Sequence, residues 1–181
     1  MSDLSLLGIS GSLRRASFNT QLMREAARLG GFDTFTEGDL RLPLYDGDLE
    51  EAEGIPIPVQ TLADKIAAAD AVVIAAPEYN KGIPGVLKNA LDWVSRTDGN
   101  PWDGKPLAIL SATAGRAGGE RTQFDLRLKM VAFRPRILQG PEVLVGGASK
   151  HFDDAGRLTT DSYITPLTAL MAALKSEAER S

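Results

Sequence analysis

The residues best suited to chemistry fall in three short stretches. The first is Ser10-Gly11-Ser12-Leu13-Arg14-Arg15-Ala16-Ser17-Phe18-Asn19. The free N–H groups at a helix N-terminus attract an anion, and the helix dipole adds to this. Hydroxyls of Ser10, Ser12 and Ser17 can donate to phosphate oxygens, Arg14 can offer a two-pronged cationic fork, and Asn19 can donate through its amide. The competing reading makes Ser17 a plain N-cap and leaves the arginines solvated. No Gly-Lys-Ser/Thr follows, and after Gly8 and Gly11 no third glycine falls in register. A monophosphate therefore fits better than a nucleoside triphosphate or a classical dinucleotide.

The second stretch runs from Pro77 to Pro84 and begins Pro77-Glu78-Tyr79-Asn80. Its functional reading uses Tyr79 and rigid backbone amides to border a flat ring, with Lys81 adding nearby charge that would favour a reduced, anionic ring. Its bland reading is a turn with Tyr79 packed, Glu78 solvated and Lys81 on the surface. The third stretch, Ser111-Ala112-Thr113-Ala114-Gly115-Arg116-Ala117-Gly118-Gly119, offers three glycines where backbone can approach a ligand, or a flexible strand-to-helix turn.

These stretches need elements to hold them. Leu4 to Ile9 is an apolar run ending at Ser10-Gly11, and Val72-Val73-Ile74-Ala75-Ala76 is a second, of the kind that forms a buried parallel strand. Further strands are expected at Thr34–Glu37, Pro106–Ala112 and Pro141–Val145. Phe18, Leu22, Ala26 and Leu29 recur at helical spacing before Gly30-Gly31. Helices are also expected over Val59–Ala69, Pro84–Arg96, Gly118–Phe133 and Thr160–Glu179. Phe124, Leu126, Leu128 and Met130 alternate like a strand, but the surrounding Gln, Arg, Lys and Met favour helix. Gly38 to Pro58 reads as a long loop, of a length that is usually functional or mobile. Alternating strands and helices predict an α/β flavodoxin-like three-layer sandwich, with a five-stranded parallel sheet of order 2-1-3-4-5 and helices on both faces. The three stretches then leave strands 1, 3 and 4, which flank the point where the strand order reverses. Anion donors, an aromatic on rigid backbone and a glycine surface together suit a phosphorylated planar cofactor such as FMN.

The totals narrow the function. The 181 residues fit one domain, 1–181, and no apolar run reaches the ~20 residues of a membrane helix. Met1-Ser2-Asp3 carries no basic segment of a secretory leader. With no cysteine, disulfides, thiolate nucleophiles and zinc–thiolate sites are excluded, and a cytoplasmic setting is expected. One histidine, His151, makes a transition-metal site improbable and reads as a surface residue. Scattered basic residues and a net charge of −4 give no footprint for nucleic acid. So few side chains suited to hard chemistry imply that a cofactor carries any reaction, and no residue is assigned a catalytic proton-transfer role. Trp93 beside the stripe of its helix, and apolar residues on two sides of the helix after Gly119, predict a homodimer or homotetramer.

At Gly11-Ser12-Leu13-Arg14 with Ser17 and Asn19, at Leu42-Pro43-Leu44-Tyr45-Asp46, and at Pro77-Glu78-Tyr79-Asn80 with Pro84-Gly85 and Leu87-Lys88-Asn89-Ala90-Leu91-Asp92-Trp93, the chain resembles the NAD(P)H-dependent FMN reductases, the flavodoxin-like group that includes bacterial quinone, chromate and azo-dye reductases. The resemblance implies that Ser10, Ser12, Arg14, Ser17 and Asn19 hold the FMN phosphate. It implies that Pro77, Glu78, Tyr79 and Asn80 border the ribityl chain and ring. Ser111, Gly115, Gly118 and Gly119 fall to the third flavin loop, where Thr113 and Arg116 depart from the usual pattern. The implied reaction passes hydride from NADH or NADPH to FMN and on to free flavin, quinone, ferric chelate, chromate or azo dye. The alternatives are a flavodoxin-type electron carrier and a redox-sensing flavin-binding protein, neither with its own nicotinamide oxidation.

Overall fold

The structure, a computed structural model, describes residues 3–180. Met1, Ser2 and Ser181 lie outside the described residues, and with Met1 and Ser2 goes most of the stretch read above for a leader. Strands β1 (Ser5–Ser10), β2 (Thr34–Gly38), β3 (Ala71–Ala75), β4 (Pro106–Ala112), β5 (Arg136–Ile137) and β6 (Val143–Val145) alternate with helices α1 (Phe18–Gly30), α2 (Gly47–Glu53), α3 (Ile57–Ala68), α4 (Gly85–Val94), α5 (Glu120–Met130) and α6 (Asp161–Ala178). All pairings are parallel, in the order β2-β1-β3-β4-β5, with β6 also on β4. This is the expected 2-1-3-4-5 sheet.

Every residue of β3 and β4 is buried, which is why both read as unbroken apolar runs. Their side chains alternate between two cores. Val73 and Leu110 meet Leu22 and Met23 of α1 and Leu167, Leu170 and Leu174 of α6. Val72, Ile74 and Ile109 meet Ile66 of α3, Leu87 and Leu91 of α4, and Leu126 and Met130 of α5. Helices thus cover both faces, and the segments that follow β1, β3 and β4 emerge along one edge. No helix among the described residues is long and apolar enough to cross a membrane.

Three expectations are corrected. The segment Gly38–Pro58 is not a plain loop, because α2 occupies Gly47–Glu53: Asp46 caps it by accepting from the Asp48 N–H (3.0 Å), and Gly54 ends it at φ 77°. Nor does this segment hang loose. The Asn89 side chain accepts from the Tyr45 N–H (2.8 Å), while the Asn89 amide (2.9 Å) and the Trp93 indole N–H (2.8 Å) both donate to the Pro43 carbonyl. The fifth strand is divided. Arg136–Ile137 pairs with the start of β4 and Val143–Val145 with its end, and Pro141, which has no N–H for a ladder, lies between them. Finally, Trp93 does not face outward. It is 0% exposed, with the Tyr45 ring edge-on at 5.0 Å, so the chain itself covers it.

Candidate active site at the carboxyl edge of the sheet

The loop after β1 is built as a helix-terminus cradle. Ser17 caps α1, its hydroxyl oxygen accepting from the Thr20 N–H (3.3 Å), which leaves the hydroxyl proton free to donate outward. Ser12 is buried to 8% exposure, and the Arg14 N–H reaches its oxygen at 3.4 Å. Arg14 and Arg15 are exposed, and among the described residues their guanidiniums have no partner. Beside this loop a cavity of about 200 Å³ opens towards the end of β2, lined by Ser10, Ser12, Arg14, Arg15 and Thr20 among others. The Ser17 hydroxyl at the helix terminus, the Ser12 hydroxyl in the loop before it, and an arginine without a partner among the described residues fit a phosphate monoester.

Two residues predicted to touch that phosphate have their side chains engaged within the protein. The Asn19 amide turns inward, donating to the Ala112 carbonyl (2.8 Å) and accepting from the Ala112 N–H (2.9 Å), so it fastens α1 to β4. The Ser10 hydroxyl is engaged with Thr20 (2.8 Å). Gly11 is required by close approach: its N–H donates to the Ala75 carbonyl (2.8 Å), and a Cβ there would lie 3.1 Å from that of Ala76.

The second loop is a tight hairpin. Tyr79 and Gly82 exchange both backbone hydrogen bonds (3.1 and 3.2 Å), and Asn80 (φ 52°) and Lys81 (φ 67°) turn between them. Positive φ at both central positions is the geometry of a type I′ turn. Asn80 and Lys81 are exposed, and Tyr79 is 47% exposed at the rim. Pro77 is buried, and its carbonyl accepts from the Thr122 hydroxyl (3.1 Å). Glu78 points to α5, accepting from the Arg121 N–H (3.1 Å), so it caps a helix whose own N-cap, Gly119, has no side chain. Asp125 accepts from the Ile83 N–H (2.9 Å). The hydrogen bond from Lys129 holds the Asp125 carboxyl below its ordinary range, against burial that pushes the other way.

In the third loop the glycines divide by role. Gly118 (φ 64°) is buried, and a Cβ there would lie 2.5 Å from the Leu144 carbonyl group. At Gly119 (φ 93°) the clash would be with Ser111, at 2.8 Å. Both glycines let this loop lie on its neighbours. Gly115 alone of the three is exposed, with Thr113 Oγ1 at 4.0 Å as the nearest atom to an added Cβ. Ser111 is 0% exposed and accepts from Gln123 Nε2 (2.9 Å), so it too belongs to the frame. The three loops are thus stitched together by Asn19, Thr122, Glu78 and Gln123. Thr122, Gln123 and Asp125 were not singled out in the sequence; their signal is polar residues on the inner side of an otherwise apolar helix stripe. His151 is half-buried, its Nδ1 paired with the Thr160 hydroxyl (2.8 Å) and its ring edge-on to Tyr163.

The largest described concavity, about 1010 Å³, lies at the opposite, amino end of the sheet. Lys105 lines it and donates to the carbonyls of Ala67 and Ala69, closing the C-terminus of α3. That basin is built from helix and strand caps.

A parallel α/β sheet of order 2-1-3-4-5, with helices on both faces and three loops gathered on one edge, defines a flavodoxin-like fold. Comparison with known proteins narrows the class. Residues 4–150 match the model of the NADPH-dependent FMN reductase family. The chain is 44% identical over 161 residues to an NAD(P)H-dependent FMN reductase of Pseudomonas aeruginosa, covering 88% of this chain and 86% of that one. It is 35% identical over 174 residues to a quinone reductase of Escherichia coli, covering 94% and 93%. Among solved structures it superposes on a flavoenzyme NAD(P)H:(acceptor) oxidoreductase from Paracoccus denitrificans with a TM-score of 0.87 at 30% identity, covering 98% of each chain. The chain belongs to the NADPH-dependent FMN reductase family, a family of enzymes that use FMN with a reduced nicotinamide as donor.

Proposed function

We propose that this protein oxidises NADH or NADPH through FMN seated on the three loops and passes the electrons to a small acceptor of the flavin, quinone, ferric chelate, chromate or azo-dye type. The observation that carries the reading is the grouping of Ser12, Ser17 and Arg14, the last without a partner among the described residues, before α1 on the same edge as the half-exposed Tyr79. FMN, when bound, supplies hydride acceptance and onward electron delivery. The chain supplies position and charge. Ser12 and Ser17 donate to the phosphate, Arg14 neutralises it, Tyr79 and the Pro77–Asn80 backbone border the ring, and the bare Gly115 backbone admits close approach. Ser10, Asn19, Glu78, Ser111, Gly118 and Gly119 keep that arrangement rigid. Pre-set positioning of this kind lowers the ordering cost of each encounter.

Further parts of the reading rest on composition and surface. Phe124 (57% exposed) and Leu128 (71%) on the outer side of α5, with Val131 (70%) at its C-terminal cap, fall at i, i+4, i+7 spacing, which supports self-association as a homodimer or homotetramer. The absence of cysteine and a soluble nicotinamide donor support a cytoplasmic setting, and the one sheet with helices on both faces supports a single domain.

The test of the seat is a pair of fluorescence titrations, with FMN and with riboflavin, which lacks the phosphate. FMN should bind on the order of 100-fold more tightly, and Arg14→Ala should remove about tenfold of that. Equal affinity for the two flavins would contradict the seat.

A further inference from the structure

The flavin-facing hairpin is held from outside, by one helix. Its central residues, Asn80 and Lys81, both sit at positive φ, a conformation that a lysine adopts only when its surroundings impose it. Those surroundings are three successive contacts from α5. Thr122 donates to the Pro77 carbonyl at one foot of the hairpin, and Arg121 N–H meets the Glu78 carboxylate beside it. Asp125 Oδ2 accepts from the Ile83 N–H at the other foot (2.9 Å). The remaining Asp125 oxygen is taken by Lys129 one turn along, which fixes the carboxylate's rotamer. Gly82 is shaped to this contact, because a Cβ there would lie 3.0 Å from Asp125 Oδ2.

We propose that Asp125 is a positioning residue for the flavin: by holding the Ile83 N–H it sets the tilt of the Tyr79–Gly82 hairpin, and so the placement of the Tyr79 ring and Pro77–Asn80 backbone that border the isoalloxazine. The proposal rests on the functional reading above. It assigns Asp125 no contact with substrate or cofactor. Another i, i+4 pair, Lys88 with Asp92 on α4, makes no side-chain bond to a loop of the site among the described residues, so what sets Asp125 apart is its bond to the hairpin rather than the ion pair.

The experiment compares wild type, Asp125→Ala and Asp125→Asn by FMN titration and by steady-state NADPH oxidation at saturating FMN. A charge-assisted N–H bond lost from a loop that a ligand requires predicts FMN affinity about tenfold weaker in Asp125→Ala. Turnover per bound flavin should fall as well, because a hairpin that has lost its tilt holds the isoalloxazine off its productive position. Asp125→Asn keeps an oxygen that can accept from Ile83 and should restore affinity to within about threefold of wild type. Gly82→Ala should weaken FMN binding in wild type and do so much less in Asp125→Ala, because the two groups meet directly. Unchanged FMN affinity in folded Asp125→Ala, or no rescue by Asp125→Asn, would overturn the proposal. If Asp125→Ala does not fold, Gly82→Ala in wild type carries the prediction, because its Cβ presses on Asp125 Oδ2, and wild-type affinity in that variant would overturn it. Failure of wild type itself to bind FMN would instead refute the functional reading.

Discussion

Asn19 shows that a residue's place in the sequence does not tell which way its side chain faces. Its position in the first turn of α1, beside Ser17, is visible in the sequence, but its amide faces the Ala112 backbone rather than solvent. Ser111 and Glu78 turn inward in the same way. Sequence spacing tells which residues share a loop; which way each points is decided by partners from distant segments. Asn19→Ala would leave a buried N–H and a buried carbonyl of Ala112 unpaired, and should lower unfolding stability by roughly 3 kcal/mol, read from urea midpoints. Glu25 is a second buried polar node, its side chain 3% exposed. Burial alone would raise its pKa, but hydrogen bonds from Arg28, Arg157 and the Leu158 N–H hold it below its ordinary 4.5. In the folded protein this carboxyl therefore binds fewer protons than in the unfolded chain. Its contribution is complete above about pH 4.5 and is lost as pH falls through the lower folded value. Glu25→Gln should weaken the protein at pH 7 and flatten the fall in stability between neutral and acid pH; an unchanged pH slope would count against this role.

At the scale of elements, the strands and most helices were legible because their apolar residues either run unbroken, as in β3, or recur at helical spacing, as in α1. Helix α2 was not, because Gly47–Glu53 is short, has no buried residue and so no stripe to read. The divided fifth strand was missed for a related reason: its two pieces span only two and three residues. The third loop offers a contrast between a buried and an exposed glycine. Gly118→Ala places a Cβ 2.5 Å from Leu144 backbone at φ 64°, and should destabilise the fold by about 2 kcal/mol or more. Gly115→Ala meets nothing nearer than 4.0 Å and should leave the melting temperature of the flavin-free protein unchanged while weakening FMN binding. Paired thermal melts and FMN titrations of the two variants test the division. Loss of stability in Gly115→Ala would show that both glycines are framework.

For the whole molecule, the exposed Phe124 and Leu128 and the inner contacts to the Tyr79–Gly82 hairpin lie on one helix, α5, so the proposed self-association and the proposed hairpin clamp share one element. Phe124→Lys with Leu128→Lys should shift the protein to monomer in light scattering at micromolar concentration, with the melting temperature of the monomer little changed because both side chains are already exposed. A wild type that is monomeric at that concentration would refute the self-association.

The central claim is that the carboxyl edge of this sheet seats FMN by its phosphate and leaves the ring open to a reduced nicotinamide. It is tested most directly by mixing FMN-loaded protein with NADPH, and separately NADH, without oxygen, while following the visible flavin absorbance. Rapid bleaching by at least one of them, restored on adding a quinone, is the predicted result. Flavin that stays oxidised with both donors would contradict the account and favour a carrier or sensor.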